Sequence, residues 1–348
     1  MRRALALARR GLGRTSPNPV VGSVVLRGDE VVGEGWHQRA GEPHAEVIAL
    51  ERAGPAARGA TLYATLEPCA HVGRTPPCVD AVLAAGVSRA VIATRDPDPR
   101  VDGRGVARLR EAGIAVTEGV LADEARALNR PFFKHIRMRL PWVMLKLALS
   151  LDGRVTAPGR RYLTGAEARR HVHRLRDEHD AVLVGIGTVL ADDPQLTVRD
   201  VRGRDPLRVV LDAHARTPPN ARVVGNDGRA VVFVREGADA ARVDALREAG
   251  ARIAAIPGAE DGLDVRAALA WLDRHDVLSV LLEAGPTLAS AMLRAGLVDE
   301  ALFIYAPIVV GDAGLPALGA KLEPLALRDT RVFRLGADVA LHGLVPPD

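Results

Sequence analysis

Four residues near the N-terminus have types that do chemistry together. His44 and Glu46 lie in "EPHAEVIALERAG", and Cys69 and Cys78 lie in "TLEPCAHVGRTPPC". The two cysteines are the only ones in the chain. A catalytic zinc takes three protein ligands and leaves its fourth position to water. One histidine and two cysteines supply those three, and a water so placed loses a proton near neutral pH. Glu46 follows the histidine too closely in sequence to share its metal comfortably. It is placed instead to carry a proton from water to a departing nitrogen. Cys78 heads an expected helix, where the positive end of the helix dipole favours a thiolate. Taken singly, these residues read as a buried cysteine pair, a surface histidine and a capping glutamate. Their coincidence points to a metal.

The order H-x-E, then P-C, then C is that of zinc deaminases acting on nucleobases. One departure is visible: eight residues separate Cys69 from Cys78, where the general pattern has two. The zinc motif alone also permits a cytidine or tRNA-adenosine deaminase fused to an unrelated α/β domain. Such enzymes need stacking aromatics, and aromatics are only 3% of this chain. A non-enzymatic module with structural zinc is a further reading. Three ligands beside a glutamate argue against a closed four-ligand site.

The second half has no full G-x-G-x-x-G. "GIGTVL", Gly185 to Leu190, has leucine at the third glycine position and is weak evidence for a dinucleotide. "EAGPTLASAML" is more informative, because it follows the apolar run "VLSVLLE" and opens a helix at about Pro286. Proline suits a first helical turn, and free N–H groups from Gly285 to Ala289 could cradle a pyrophosphate. An ordinary helix start with no ligand reads the same.

These residues need elements to hold them. The first half alternates strand and helix patterns. "VVGSVVLRG" and "EVVGEGWH" form a strand pair turning at Gly28-Asp29, and a helix closes at Gly54. Strand "ATLYATLEP", helix "CVDAVLAAG", a strand "RAVIATRDPDP" that ends in a turn-rich loop, helix "GVARLREAG" and strand "IAVTEGV" follow. This is a three-layer α/β pattern. Residues 121–141 read as a helix and a connector. A second α/β series starts at "WVMLKLALSLDG" and continues through helix "TGAEARRHVHRLRDEH", strands "DAVLVG", "LRVVLDA" and "RAVVFV", helix "ADAARVDALREAG", strand "VLSVLLE" and helix "TLASAMLRAGLVD" to strand "EALFIYAPIVVG". We expect domains over 1–140 and 141–348, each able to bury an aliphatic core, since 48% of the residues are hydrophobic. "MRRALALARRGLGR" loosely resembles a transit peptide, but it runs directly into strand patterns and reads as a first helix over residues 2–11. A net charge of +4 suits anionic small molecules and does not by itself suggest nucleic acid. Two cysteines make no disulfide framework, which suggests a cytoplasmic setting. No apolar run approaches the ~18 residues of a membrane span.

"TSPNPVVG", "HAE" and "TLEPCAHVGRTPPC", with "LKLALSLDGR", "RLRDEHDAVLVGIGTVLADDPQLTVR" and "LLEAGPTL", together resemble the bifunctional deaminase–reductases of riboflavin biosynthesis. That family has the longer Cys–Cys spacing. The resemblance implies a cytidine-deaminase-like three-layer domain followed by a dihydrofolate-reductase-like α/β domain. It implies zinc on His44, Cys69 and Cys78, catalysis by Glu46, and deaminase substrate contacts from Asn18, His37, His71 and Arg74. It implies NADPH at Ala148, Tyr162, Thr188, Asp192, Gly285, Pro286, Thr287, Leu288, Ala289, Ser290 and Ala291. Reductase substrate contacts would come from Arg160, Arg176, Leu196, Arg199 and Glu283, with polar roles for Lys146 and Asp152. Partners would be phosphorylated pyrimidines, with no nucleic acid or membrane, and a homodimer or homotetramer is expected. Many family members have tryptophan where Tyr162 stands and a second glycine where Ala284 stands.

Overall fold

The computed structural model describes residues 1–71, 76–259, 262–319 and 322–346. The chain divides into two compact units, Met1–Arg139 and Leu140–Asp348.

In the first unit, α1 (Arg2–Ala8) precedes β1 (Gly22–Arg27), β2 (Glu30–Trp36), α2 (Ala45–Ala53), β3 (Thr61–Ala64), α3 (Cys78–Ala85) and β4 (Arg89–Ile92). Then come α4 (Arg104–Glu111), β5 (Ala115–Glu118), α5 (Ala122–Leu128) and α6 (Arg130–Met138). Among the described residues the sheet order is β2-β1-β3-β4-β5, with β1 antiparallel to β2 and β3, and β3, β4 and β5 parallel. Adjacent residues of β1 face opposite layers, as the period-2 pleat requires. Val25 packs with Leu50, Leu62, Val79 and Val82, while Val24 packs with Ala4 and Leu7 of α1. Residues 121–141 hold two helices rather than one, broken at Asn129.

Two close approaches fix the helices that carry the site. A Cβ on Gly33 would stand 2.1 Å from the Ala49 carbonyl oxygen of α2. One on Gly22 would stand 2.0 Å from the Ala4 carbonyl oxygen of α1. Only glycine lets both helices sit this low on the sheet. α2 buries Ala45, Glu46, Ala49, Leu50 and Ala53, one face at helical spacing, and stops at Gly54 with φ 52°. Glu46 thus occupies a place on the core face where the periodicity calls for an apolar side chain.

In the second unit, β6 (Trp142–Leu149) is followed by α7 (Ala166–Glu178), β7 (Ala181–Gly185), α8 (Ile186–Asp192), β8 (Leu207–Leu211), β9 (Ala230–Arg235), α9 (Ala240–Glu248) and β10 (Arg252–Ile256). A short pair, β11 (Gly258–Ala259) and β12 (Gly262–Leu263), leads to α10 (Val265–Asp273), β13 (Ser279–Leu282), α11 (Pro286–Arg294) and β14 (Glu300–Tyr305). The chain ends in the hairpin β15 (Arg328–Leu335) and β16 (Asp338–Leu344). The large sheet runs β10-β9-β8-β7-β13-β6-β14-β16-β15 among the described residues, parallel from β10 to β14 and antiparallel in the hairpin. Its two faces are covered separately. Leu145, Leu183 and Leu282 pack with Leu269 and Met292 of α10 and α11, while Val182 and Val210 pack with Leu175 and Leu246 of α7 and α9. The strand expected over "EALFIYAPIVVG" ends at Tyr305, two residues before Pro307, which offers no ladder N–H. Among the described residues no helix is long and apolar enough to cross a membrane.

Candidate active sites

In an α/β sheet, groups for chemistry gather outside the carboxyl ends of parallel strands. In the first unit, the segments after β3 and β4 meet the heads of α2 and α3 there. His44 is the extended N-cap of α2, and Cys78 opens α3 behind Pro77. His44 Nδ1 lies 3.0 Å from Cys78 Sγ and 3.7 Å from Cys69 Sγ, and the three ligand atoms all lie within 4.8 Å of one another. The Cys78 N–H donates to Cys69 Sγ at 3.3 Å. Contact with the Cys78 thiol, then with His44, pulls the Cys69 thiol down to about 4, while Cys78 is pushed up by Cys69 and by burial. Two sulfurs and one imidazole in this arrangement make a donor set that suits zinc.

Glu46 is 3% exposed, and its Oε2 is buried without a hydrogen-bond partner among the described residues. Burial pushes its carboxyl up to about 7, against the pull of His44. A buried carboxylate oxygen without a partner is costly unless a ligand or a moving proton uses it.

Asn18 and His37 are joined by an Asn18 Nδ2 to His37 Nε2 contact of 3.0 Å. His37 Nδ1 faces the Pro43 carbonyl oxygen at 3.2 Å, so Nδ1 carries the hydrogen and Nε2 accepts from Asn18. The His37 ring meets His44 edge-on, with 5.1 Å between centroids. His71 is half-buried, and its Nδ1 has no partner among the described residues. Arg74 lies outside the described residues. The sequence reasoning missed three buried acids here: Glu67, Asp96 and Asp98. Glu67 accepts the N–H groups of Gly103 and Val106 at 3.0 Å each and ties α4 to the turn that holds Cys69. Burial pushes Asp96 up to about 7, and the Arg100 contact holds Asp98 below its ordinary value. Asp96 feels the charge of Cys69, and Asp98 that of His71, so both border the site. The acids of "RDPDPR" were a signal in plain view, read only as a turn.

The second unit brings its candidate site residues together from β6, α7, the end of β13 and the segment after α8. Glu283, just past β13, takes Arg176 Nε at 2.6 Å and Lys146 Nζ at 2.9 Å. Burial works against its charge, but Arg176 and Lys146 hold the carboxyl well below the usual carboxylate range. Arg176 Nη1 also donates to the Thr197 carbonyl oxygen at 3.0 Å, and Arg199 Nη1 to the Thr197 hydroxyl at 2.8 Å. Leu196 is 2% exposed and adopts φ 55°, a left-handed conformation that costs a branched residue energy and is held here by its neighbours. His173 was not singled out from sequence. It accepts the Arg199 N–H on Nδ1 at 2.9 Å, and it lies three residues before Arg176 on the same helix.

The expected cofactor positions divide. α8 and α11 start at Gly185 and Gly285, at the carboxyl ends of the neighbouring strands β7 and β13. A Cβ on Gly285 would stand 3.8 Å from Thr188 Oγ1, so these two positions come together. Ala148 shares a face of β6 with Lys146. Pro286, Thr287, Leu288 and Ala291 are at least partly accessible, but Ala289 and Ser290 are buried, and the Ser290 hydroxyl accepts the Gly319 N–H at 2.8 Å. Those two can offer only backbone. Tyr162 is exposed, with the Arg169 and Arg161 guanidiniums 5.0 and 5.7 Å from its ring centroid. Asp192 lines an open cleft of about 470 Å³ with Arg161, Asp193 and Arg222, and Arg160 lines another with Ile308 and Val309. The Asp152 carboxylate accepts the Ser150 hydroxyl and the N–H groups of Val310 and Gly311. It clamps two loops together.

Residues 1–94 match the cytidine and deoxycytidylate deaminase zinc-binding region, and residues 141–341 match the RibD C-terminal domain. The chain is 44% identical to riboflavin biosynthesis protein RibD of Escherichia coli, over 98% of this chain and 97% of that one. The chain belongs to the RibD family. RibD of Aquifex aeolicus is 40% identical, over 98% of this chain and 96% of its own. The solved Acinetobacter baumannii RibD superposes with TM-score 0.88 at 40% identity, covering 99% of this chain and 97% of that one. A Thermotoga maritima diaminohydroxyphosphoribosylaminopyrimidine deaminase/5-amino-6-(5-phosphoribosylamino)uracil reductase superposes with TM-score 0.86 at 35% identity, with the same two coverages. As a RibD, the chain is a bifunctional deaminase and reductase of riboflavin biosynthesis, with Zn²⁺ and NADPH as cofactors.

Proposed function

We propose that Glu46 is the proton carrier in loss of the 2-amino group of 2,5-diamino-6-(5-phosphoribosylamino)pyrimidin-4(3H)-one, and that the Lys146–Glu283–Arg176 cluster frames reduction of the ribosyl group of the deaminated product. The observation that carries the first assignment is the buried, partnerless Oε2 of Glu46 beside three converging ligand atoms. His44, Cys69 and Cys78 would hold zinc, which when bound lends Lewis acidity to a water at neutral pH. Glu46 takes a proton from the attacking water and delivers it to the amino nitrogen, which leaves as ammonia while the water oxygen stays on the ring. A carboxyl poised near neutrality can do both. Asn18, fixed by His37, offers its remaining amide oxygen to the pyrimidine, His71 a ring nitrogen, and Arg74 a charge for the ribose phosphate.

In the second unit the head of α11 from Gly285, with Thr188 and Ala148, would hold NADPH, which when bound would supply hydride for C1 of the ribose as its ring opens. Arg176 and Arg199 suit the phosphorylated substrate. Lys146 is the candidate to place a proton on the ring oxygen, and Glu283 holds it there at 2.9 Å.

We read the partners as small phosphorylated pyrimidines and not nucleic acid, on the low aromatic content. The family resemblance favours a homo-oligomer. Both cysteines sit in the ligand group, in keeping with a reducing cytoplasm. The test of the central assignment is Glu46→Gln. Deamination should fall on the order of 100-fold or more while zinc stays bound; near-normal ammonia release would refute it.

A further inference from the structure

We infer that Asn129 is a positioning residue for deamination: its side-chain amide clasps the backbone of Val20 and thereby holds the Asn18–His37 pair against the head of the ligand helix α2. The inference rests on the proposed role of Asn18. Asn129 is 2% exposed and lies at the break between α5 and α6. Its Oδ1 accepts the Val20 N–H, and its Nδ2 donates to the Val20 carbonyl oxygen, both at 2.9 Å. Only a carboxamide presents a donor and an acceptor side by side, as a neighbouring strand would. Val20 lies two residues before β1, where no strand serves it, so the amide satisfies both of its buried main-chain groups.

The clasp lies next to the substrate-facing groups. Asn18 is closed into a turn by its own N–H to the Thr15 carbonyl oxygen, at 2.8 Å, and by the Thr15 hydroxyl to its carbonyl oxygen, at 3.0 Å. On the other side of Val20, the Val21 carbonyl oxygen accepts the His37 N–H at 2.9 Å. His37 in turn binds Asn18, faces Pro43 and abuts the His44 ring. The bonds at Thr15 and His37 stay within this substrate-facing group. Asn129 ties it to a helix junction 109 positions away. A residue serving only to cap the helix break would engage one main-chain group of its own helix. Asn129 has such a contact, Nδ2 to the Ala125 carbonyl oxygen at 3.4 Å, but it is the longer one.

The test uses the full-length zinc protein and four forms: parent, Asn18→Ala, Asn129→Ala and the double variant. Each is measured for deaminase KM and kcat, zinc content, and NADPH oxidation on pre-deaminated substrate. We expect Asn18→Ala and Asn129→Ala each to raise deaminase KM by about tenfold. Zinc content and NADPH oxidation should hold, and the double variant should be no worse than the more impaired single variant, because both remove one positioned group. If Asn129→Ala is recovered unfolded, Asn129→Asp carries the test. It keeps the acceptor for the Val20 N–H and removes the donor, so KM should rise by about threefold over the parent. An unchanged KM in Asn129→Ala or Asn129→Asp, with loss confined to folded yield, would overturn the inference. So would two single effects that multiply in the double variant. An unchanged KM in Asn18→Ala would instead sink the reading of Asn18 on which the inference stands.

Discussion

The two sites place a buried glutamate in opposite situations. Glu46 sits on the core face of a helix with one oxygen unpartnered, and its carboxyl is pushed up towards neutrality. Glu283 is comparably enclosed but grips two cations, and its carboxyl is held far below the usual range. Burial alone raises both; what differs is the company. An acid with one buried oxygen left open can exchange protons during a reaction. An acid between an arginine and a lysine is a fixed negative post that orients its partners. Side-chain type and burial therefore do not by themselves assign a role; the partners of the carboxylate oxygens separate the two.

The contrast is open to attack at several strengths. The largest expected effect is removal of a ligand. Cys78→Ser should leave well under about half an equivalent of metal by elemental analysis, where the parent holds about one, and deamination should vanish with it. Full occupancy in that variant would break the ligand assignment. Next is Glu283→Gln, which leaves Lys146 and Arg176 facing each other without their counter-charge. Removing one partner of a buried pair costs about 3–5 kcal/mol, so the melting transition of the second unit should drop by about 10 °C. Reduction should fall with it while ammonia release persists. An unshifted transition would show that Glu283 is not the post described.

The smallest effect is an acid one, away from both sites. Arg208 is 2% exposed and bonds the carbonyl oxygens of Val223 and Val224 and the carboxylate of Asp227. The hydrogen bond from Arg208 holds Asp227 down at about 2. A carboxyl lowered on folding stabilises the protein above its unfolded value of about 4, and that stability is lost as pH falls towards its folded value. Asp227→Asn should therefore flatten the stability profile between about pH 4 and pH 2 in acid titrations followed by circular dichroism. An unchanged slope would count against the pair.

The deaminase ligands were legible because the chain has two cysteines, both in one short segment, and an H-x-E at a helix head. These are rare types at informative spacing. Asp96, Asp98 and Glu67 were visible as acids beside prolines but their burial was not, because such a stretch reads as a turn and only the folded chain turns them inward. In the second unit Glu283 meets Lys146 from 137 positions away, a distance no local pattern spans. Its cofactor segment was assigned as a run of seven residues, while the helix turns Ala289 and Ser290 into the core. Missed elements have similar causes. β15 is an edge strand exposed over most of its length, and its arginines spoil the alternation that marks a half-buried strand. α8 begins "IG" behind its cap Gly185, and the two glycines mask its start. α10 was missed despite a clear cap, since the Asp264 side chain accepts the Ala267 N–H.

In the proposed assignment one chain carries two sites, with Glu46, whose Oε2 is unpartnered, moving protons in one and the paired Glu283 anchoring the other. The most direct measurement follows ammonia release and NADPH oxidation in the same preparation of Glu46→Gln, first with the diaminopyrimidine and then with the pre-deaminated substrate. Neither signal should appear above about one hundredth of the parent rate with the first substrate. With the second, NADPH oxidation should return to within about twofold of the parent, with zinc still bound. Loss of NADPH oxidation on the pre-deaminated substrate, in protein that remains folded, would contradict the account and require a single composite site.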